Sequence, residues 1–321
     1  MSLIERAANK LAGNAGTATI EPAAPAGTTD RRSTIERVVE RLPGAPADDS
    51  TGSRPPAPPP AVSPPHLAVA TDAPRGDPIH LHLESLRLRG FVSPDGERSQ
   101  IAQEFRIIKR PLLANAFGRG TSPVRNGKRV MITSALPGEG KSFCAINLAL
   151  SIAAERDHKV LLVDADVARP SLPRELGIEV DRGLMDCLAD ESADLAALIL
   201  DTDVEKLSLL PAGRTHAHTT ELLASEAMSR LLENLSTRFP DTLIVFDSPP
   251  LLPTTEARVL AAHMGQILVV VEAGRSPRDS VETALAMVSD CEVVGLVLNK
   301  SRIAKAGYYG GYGYGYGNPT G

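Results

Sequence analysis

The stretch Ser134-Ala-Leu-Pro-Gly-Glu-Gly-Lys-Ser142 lies between an apolar run and a helical one, and its residue types suit one chemistry. Gly138 and Gly140 let backbone N–H groups turn inward around phosphate oxygens. The helix that follows the loop would point its positive end at them. Lys141 is placed to reach the β and γ oxygens of a nucleotide, and Ser142 to offer a hydroxyl to Mg²⁺. Pro137, Gly138, Glu139, Gly140, Lys141, Ser142 and Phe143 are therefore the expected phosphate-binding residues. Ser134 departs from the G-x-x-x-x-G-K-[ST] pattern, standing where glycine is usual.

Carboxylates follow two other apolar runs. Val160-Leu-Leu-Val-Asp164-Ala-Asp166 sets two aspartates two residues apart, and Leu243-Ile-Val-Phe-Asp247 sets another at a run's end. One such carboxylate can hold the hydration shell of Mg²⁺, and a second can accept a proton from an attacking hydroxyl. An aspartate after a strand is often only a turn or cap residue. Three of them in a chain with this loop favour the metal and base roles. Asn299, after Gly295-Leu-Val-Leu, could present its amide to an adenine edge or simply close a turn. His216 and His218 lack companion ligands and read as loop residues.

All five tyrosines, Tyr308, Tyr309, Tyr312, Tyr314 and Tyr316, fall in the last fourteen residues, interleaved with glycine. Such a segment can enter a neighbour's active site in extended form, because glycine leaves it little order of its own. Each phosphate added there would bring about −1.5 to −2 charges, so several would repel one another and any acidic face. That is the logic of a dissociation switch.

The elements that must position these residues alternate in type. Apolar, β-branched runs at 129–134, 159–163, 207–210, 243–246, 267–271 and 293–298 read as strands covered on both faces, with helical stretches such as 143–155 and 221–238 between them. The expected class is an α/β P-loop NTPase with a doubly wound, mostly parallel sheet and ligands at the carboxyl ends of its strands. Fourteen of the 26 prolines lie in the first hundred residues, so residues 1–78 are expected to be mostly disordered and proline-rich. The remaining divisions are a lead-in segment with a helix at 79–127, an ATP-binding domain at 128–303 and a flexible Tyr/Gly-rich tail at 304–321. Two short segments, 2–12 and 33–42, share the pattern S-x-I-E-R-x-x-x-x-L. Ser33 and Glu36 of the second form a capping-box pair ahead of an apolar stripe, which suggests docking onto a partner or onto the domain.

Composition narrows the classes. The 321 residues carry 34 Lys+Arg against 39 Asp+Glu, a net charge of −5, which argues against a nucleic-acid coat. No window approaches about 18 consecutive apolar residues, so no transmembrane helix is expected. The N-terminus lacks a secretory pattern and the three cysteines are far apart, so a cytoplasmic setting is expected.

Taken together, SALPGEGKS, VLLVDADVARPS, LIVFDSPP, LLPAG leading to ELLAS, GLVLNK and the tyrosine-rich end resemble the bacterial P-loop tyrosine kinases, the autokinases associated with exopolysaccharide chain-length proteins. The resemblance covers roughly residues 103–316. It implies that Lys141 and Ser142 hold ATP·Mg²⁺, that Asp164 and Asp247 arrange the metal, and that Asp164 or Asp166 helps deprotonate a tyrosine hydroxyl. It also implies autophosphorylation of the tail in trans, a chain-length membrane protein as activator, and peripheral placement at the inner face of the plasma membrane. The family's acidic-x-x-Arg-x-x-Arg motif, associated with subunit contacts in a ring, aligns with Gln103 to Lys109, where only Arg106 matches fully. The related partition and division-site ATPases carry an extra lysine at the position of Leu136, and its absence here argues against that branch. The alternative is an ATP-switched binding ATPase of that partition-like class without kinase activity.

Overall fold

The structure is a computed structural model describing residues 77–94, 99–118, 124–190 and 192–301, all within one compact unit. The segments 2–12 and 33–42, Tyr308 to Tyr316 and the rest of the tail lie outside the described residues.

Among the described residues seven strands form one sheet: β1 Arg129–Ser134, β2 Lys159–Asp164, β3 Leu200–Asp201, β4 Leu207–Leu210, β5 Thr242–Asp247, β6 Gln266–Glu272 and β7 Val293–Asn299. Their order across the sheet is β3-β4-β2-β5-β1-β6-β7, and only β3 runs antiparallel to its neighbour. This is the doubly wound parallel architecture that the alternating runs predict. The antiparallel β3, only two residues long, carries too little pattern to be read beforehand. β1 and β5 are buried along their whole length, because helices cover both faces of a parallel sheet.

Alternation within the strands divides the core in two. Val130, Ile132, Val160, Leu162, Leu243 and Val245 face helices α1 Leu83–Leu88, α2 Gln100–Phe117 and α3 Lys141–Ala153. Met131, Leu161, Val163, Ile244 and Phe246 face the opposite layer. That layer is built from α5 Leu184–Ala189, α6 Leu195–Leu198, α7 Thr219–Leu223, α8 Glu226–Arg238, α9 Glu256–Ala261 and α10 Arg278–Met287, while the short α4 Leu172–Leu176 packs with the first face. Each fully buried side chain of this size contributes about 1.5–3 kcal/mol of transfer free energy.

The helical stretch expected at 221–238 is two helices. Ser225 turns to an extended backbone and its hydroxyl accepts the Met228 N–H at 3.4 Å, so α8 starts afresh there. Helix α3 is buried on nearly every side, and its N-cap, Gly140, offers no side chain to its first-turn N–H groups. A buried helix start without a cap needs another partner for those donors. Because the six long strands run in one direction, Ser134, Asp164, Asp247, Glu272 and Asn299 all end at one edge of the sheet, beside that helix start.

Candidate active site

The loop between β1 and α3 is built around two glycines in the left-handed region, Gly138 at φ +83° and Gly140 at φ +100°. At Gly140 a Cβ would also overlap Asn299 Nδ2, so both the dihedral and the contact require glycine. Ser134, the departure from the usual pattern, closes the loop's entry by donating its hydroxyl to the Leu136 carbonyl at 2.7 Å.

Side chains behind the loop hold its carbonyls outward. Glu139 is buried; its carboxylate accepts the Leu136 N–H at 2.8 Å and the hydroxyl of Ser276. Asn299 Nδ2 donates to the Glu139 carbonyl at 2.9 Å, and Lys300 Nζ to the Gly138 carbonyl at 2.7 Å and to Glu272 Oε2 at 3.1 Å. The side chains of Glu139 and Phe143 are thus both turned to protein partners, Phe143 having its ring against Phe91 at 5.0 Å between centroids. Asn299, read from sequence as a possible adenine contact, uses its amide on the loop in this structure.

On the inner side, β2 and β5 are adjacent and in register, so Asp164 stands opposite Asp247. Both are fully buried. Asp164 Oδ1 accepts the Asp166 N–H at 3.2 Å, and its Oδ2 accepts the N–H groups of Ser171 and Leu172, each at 3.1 Å. Burial first, and the charge of Asp247 second, push its carboxyl up to about 8. Burial likewise pushes Asp247 up to about 6, opposed by the Ser142 hydroxyl and the charge of Lys141. Among the described residues Asp247 Oδ1 is buried with no hydrogen-bond partner. Two facing carboxylates, one with an orphaned oxygen, next to the Ser142 hydroxyl form a donor set suited to a hard divalent cation. The orphaned oxygen is the observation that makes Mg²⁺ fit.

Asp166 is half-buried at the outer end of the same turn. Burial raises its carboxyl above the ordinary value, while Lys141 and Arg169 lower it. Lys141 is 9% exposed and acts electrostatically on both Asp166 and Asp247. The structure thus brings Lys141, Ser142, Asp164, Asp166 and Asp247 together at the uncapped start of α3, an arrangement able to hold a phosphate chain, a cation and a proton acceptor at one point.

Residues 126–307, over half of the chain, match the P-loop NTPase family described as ParA: NUBPL iron-transfer P-loop NTPase. The chain is 31% identical over 227 residues to tyrosine-protein kinase YwqD of Bacillus subtilis, covering 70% of this chain and 92% of YwqD. The chain belongs to this family of bacterial tyrosine-protein kinases. The kinase domain of Escherichia coli tyrosine kinase ETK superposes with a TM-score of 0.52 at 25% identity, covering 67% of this chain and 80% of that domain. Succinoglycan biosynthesis transport protein ExoP of Rhizobium meliloti is 34% identical over 220 residues, 67% of this chain but 27% of ExoP. As a P-loop NTPase of this kinase family, the chain binds nucleotide.

Against that background, two parts of the kinase pattern stand apart. Arg106 is exposed on α2, whereas Lys109, at the family motif's last arginine, is buried and bonded within its own domain to Glu155 Oε1 at 2.7 Å and to the Ser151 carbonyl. Among residues that sequence reasoning missed, Ser276 and Lys300 brace the loop from behind. Ser171 reaches into the carboxylate pair. Ser171 and Lys300 close the stretches VLLVDADVARPS and GLVLNK, but nothing in those patterns gives either a role, and only the through-space contacts reveal what the three do.

Proposed function

We propose that the chain is an ATP- and Mg²⁺-dependent protein-tyrosine autokinase that phosphorylates Tyr308, Tyr309, Tyr312, Tyr314 and Tyr316 of a second copy. The observation that carries the reading is the convergence of Lys141, Ser142, Asp164, Asp166 and Asp247 at the uncapped start of α3. Backbone N–H groups of residues 138–143 and the Lys141 ammonium would hold the β and γ phosphates and offset the charge that builds on the transferred group. Ser142, Asp164 and Asp247 would hold Mg²⁺, which when bound neutralises the phosphate oxygens. Asp166, nearest the mouth, accepts the proton of the tyrosine hydroxyl as that oxygen bonds to the γ phosphorus. The bond from the γ phosphorus to the bridging oxygen breaks, and ADP departs with the electron pair.

Because no tyrosine precedes Tyr308, every phosphotyrosine on this chain would lie in the tail. The tail follows β7, whose end braces the loop of its own domain, so delivery by a neighbour avoids disturbing that brace. Arg106 is the residue assigned to contact between copies, in a ring-like assembly. The matched region makes up nearly all of one relative, 92% of YwqD, and a quarter or so of another, 27% of ExoP. Among the described residues no helix is long and apolar enough to cross a membrane. From the likeness to ExoP, the reading includes a chain-length membrane protein as activator at the inner face of the plasma membrane, with exopolysaccharide chain length or export as the regulated process.

The test incubates full-length Lys141→Met protein with a wild-type chain lacking residues 304–321, in ATP and Mg²⁺, and maps phosphate by mass spectrometry. Phosphate on residues 308–316 of the Lys141→Met partner is expected, with Lys141→Met alone slowed roughly 10²-fold or more. Unmodified tyrosines in the wild-type chain, even with an activator's cytoplasmic segment added, would sink the proposal. So would full phosphorylation by Lys141→Met alone.

A further inference from the structure

Ser171 touches all three residues assigned to the cation. Its Oγ lies 2.6 Å from Ser142 Oγ and 3.3 Å from Asp247 Oδ2, and its backbone N–H donates to Asp164 Oδ2 at 3.1 Å. These contacts reach three separate elements: the first turn of α3, the end of β5 and the end of β2.

The position explains why the hydroxyl is available. Ser171 is the N-cap of α4, where a serine ordinarily turns its oxygen onto an N–H of the first turn. It makes no such bond. Asp164 Oδ2 instead accepts both the Ser171 and Leu172 N–H groups, so a carboxylate from the preceding strand caps this helix. The Ser171 hydroxyl is then free to donate its proton to Ser142 Oγ or to Asp247 Oδ2, both of which lie within its reach. A side chain retained only to start α4 would not be turned away from that helix.

We infer that Ser171 is a positioning residue for the magnesium–nucleotide site, orienting the Ser142 hydroxyl and the Asp247 carboxylate and tying both to the turn that carries Asp166. The inference rests on the Mg²⁺·ATP reading above. One hydroxyl links the residues that would hold the cation to the backbone that carries the proton acceptor. Its loss should loosen the cation site while leaving the phosphate loop, which is braced separately by Glu139, Asn299 and Lys300, as it was. Removing a group that orients metal ligands typically weakens metal binding by about 10–100-fold.

The experiment compares full-length wild type, Ser171→Ala and Ser171→Thr. ADP binding is followed by calorimetry and thermal shift, in EDTA and across a magnesium titration, beside tail phosphorylation rates. Ser171→Ala is expected to need about tenfold more Mg²⁺ for half-maximal ADP stabilisation. Its ADP affinity in EDTA and its ligand-free melting temperature should match wild type, because Asp164 still caps α4. Its kcat should recover with added Mg²⁺ while KM for the tail stays unchanged, and Ser171→Thr, which keeps the hydroxyl, should restore the magnesium midpoint. A wild-type magnesium midpoint in Ser171→Ala would overturn the inference. An equal loss of ADP affinity with and without Mg²⁺ would do so too, by marking the residue as merely structural. If wild type binds ADP with no magnesium effect, the cation reading itself fails, a result distinct from either of these.

Discussion

Gly140 combines two demands that no other residue meets. Its φ of +100° lies in the left-handed region, and any Cβ would meet Asn299 Nδ2, the group that holds the Glu139 carbonyl outward. Gly140→Ala must either rotate the backbone, aiming the loop's N–H groups away from phosphate, or displace Asn299. The expected cost is about 1–3 kcal/mol of backbone strain together with at least a tenfold weaker ADP affinity. Calorimetric ADP titration checks this, and wild-type affinity in the variant would refute it. The same residues show what sequence can and cannot reveal. The strand, glycine turn and helix around Gly138, Gly140, Lys141 and Ser142 were legible because such a loop fixes residue types and spacing along the chain. What the pattern does not reveal is where the Glu139 side chain goes: it turns back on Leu136 and Ser276. Ser171 was illegible because its hydroxyl is released only when Asp164, seven residues earlier, takes over the helix cap.

Helix α2 shows the same contrast one level up. Phe105, Lys109 and Leu112 are its buried residues, spaced at i, i+4 and i+7, so helical periodicity already places Lys109 on the inner face. A motif written as spaced cations cannot tell an inward lysine from an outward arginine. Lys109 fixes α2 to the C-terminal end of α3 through Glu155 and the Ser151 carbonyl, and α3 carries Lys141 and Ser142 at its other end. Lys109→Met keeps the apolar stem and removes the charge, leaving the Ser151 carbonyl and Glu155 without their donor. Because Glu155 is 40% exposed, water recovers part of the loss. The expected destabilisation is about 1–2 kcal/mol, below the 3–5 typical of a fully buried pair. Urea unfolding measures it, and a change under about 0.5 kcal/mol would show that Lys109 does not join the two helices energetically. Elsewhere the strand positions were legible to within a residue or so because buried parallel strands are short continuous apolar runs. The break at Ser225 was missed because a lone serine inside helical periodicity carries no sign that its backbone has turned extended.

At the scale of the whole molecule, the parallel sheet delivers its strand ends to one edge and so forces Asp164 and Asp247 together in a buried site, each lifted above an ordinary carboxyl, to about 8 and about 6. The ligand-free fold bears that cost in a pH-dependent way. Both folded-state values lie above the unfolded value of 3.8, so across the interval from about 4 to about 8 the folded chain holds protons that the unfolded chain has released. This contribution to stability is fully present below the unfolded value and is lost as pH rises through 6 and then 8. Asp247→Asn removes one of the two charges and relieves its repulsion of Asp164. The variant should therefore melt higher than wild type at pH 8 without ligand, by roughly 2–6 °C for about 1–2 kcal/mol in a domain of this size. The gain should shrink toward zero near pH 4–5, where both carboxyls are protonated in the folded wild type. With Mg²⁺ and ADP at pH 8 the order should reverse, because the wild-type pair gains a cation that the amide cannot hold. Thermal melts at pH 5, 7 and 8, with and without Mg²⁺·ADP, decide the matter. A variant less stable than wild type at pH 8 without ligand would mean that the carboxylate pair is already compensated within the protein, and that the sheet's edge is built to carry its charge rather than to give it up to a cation.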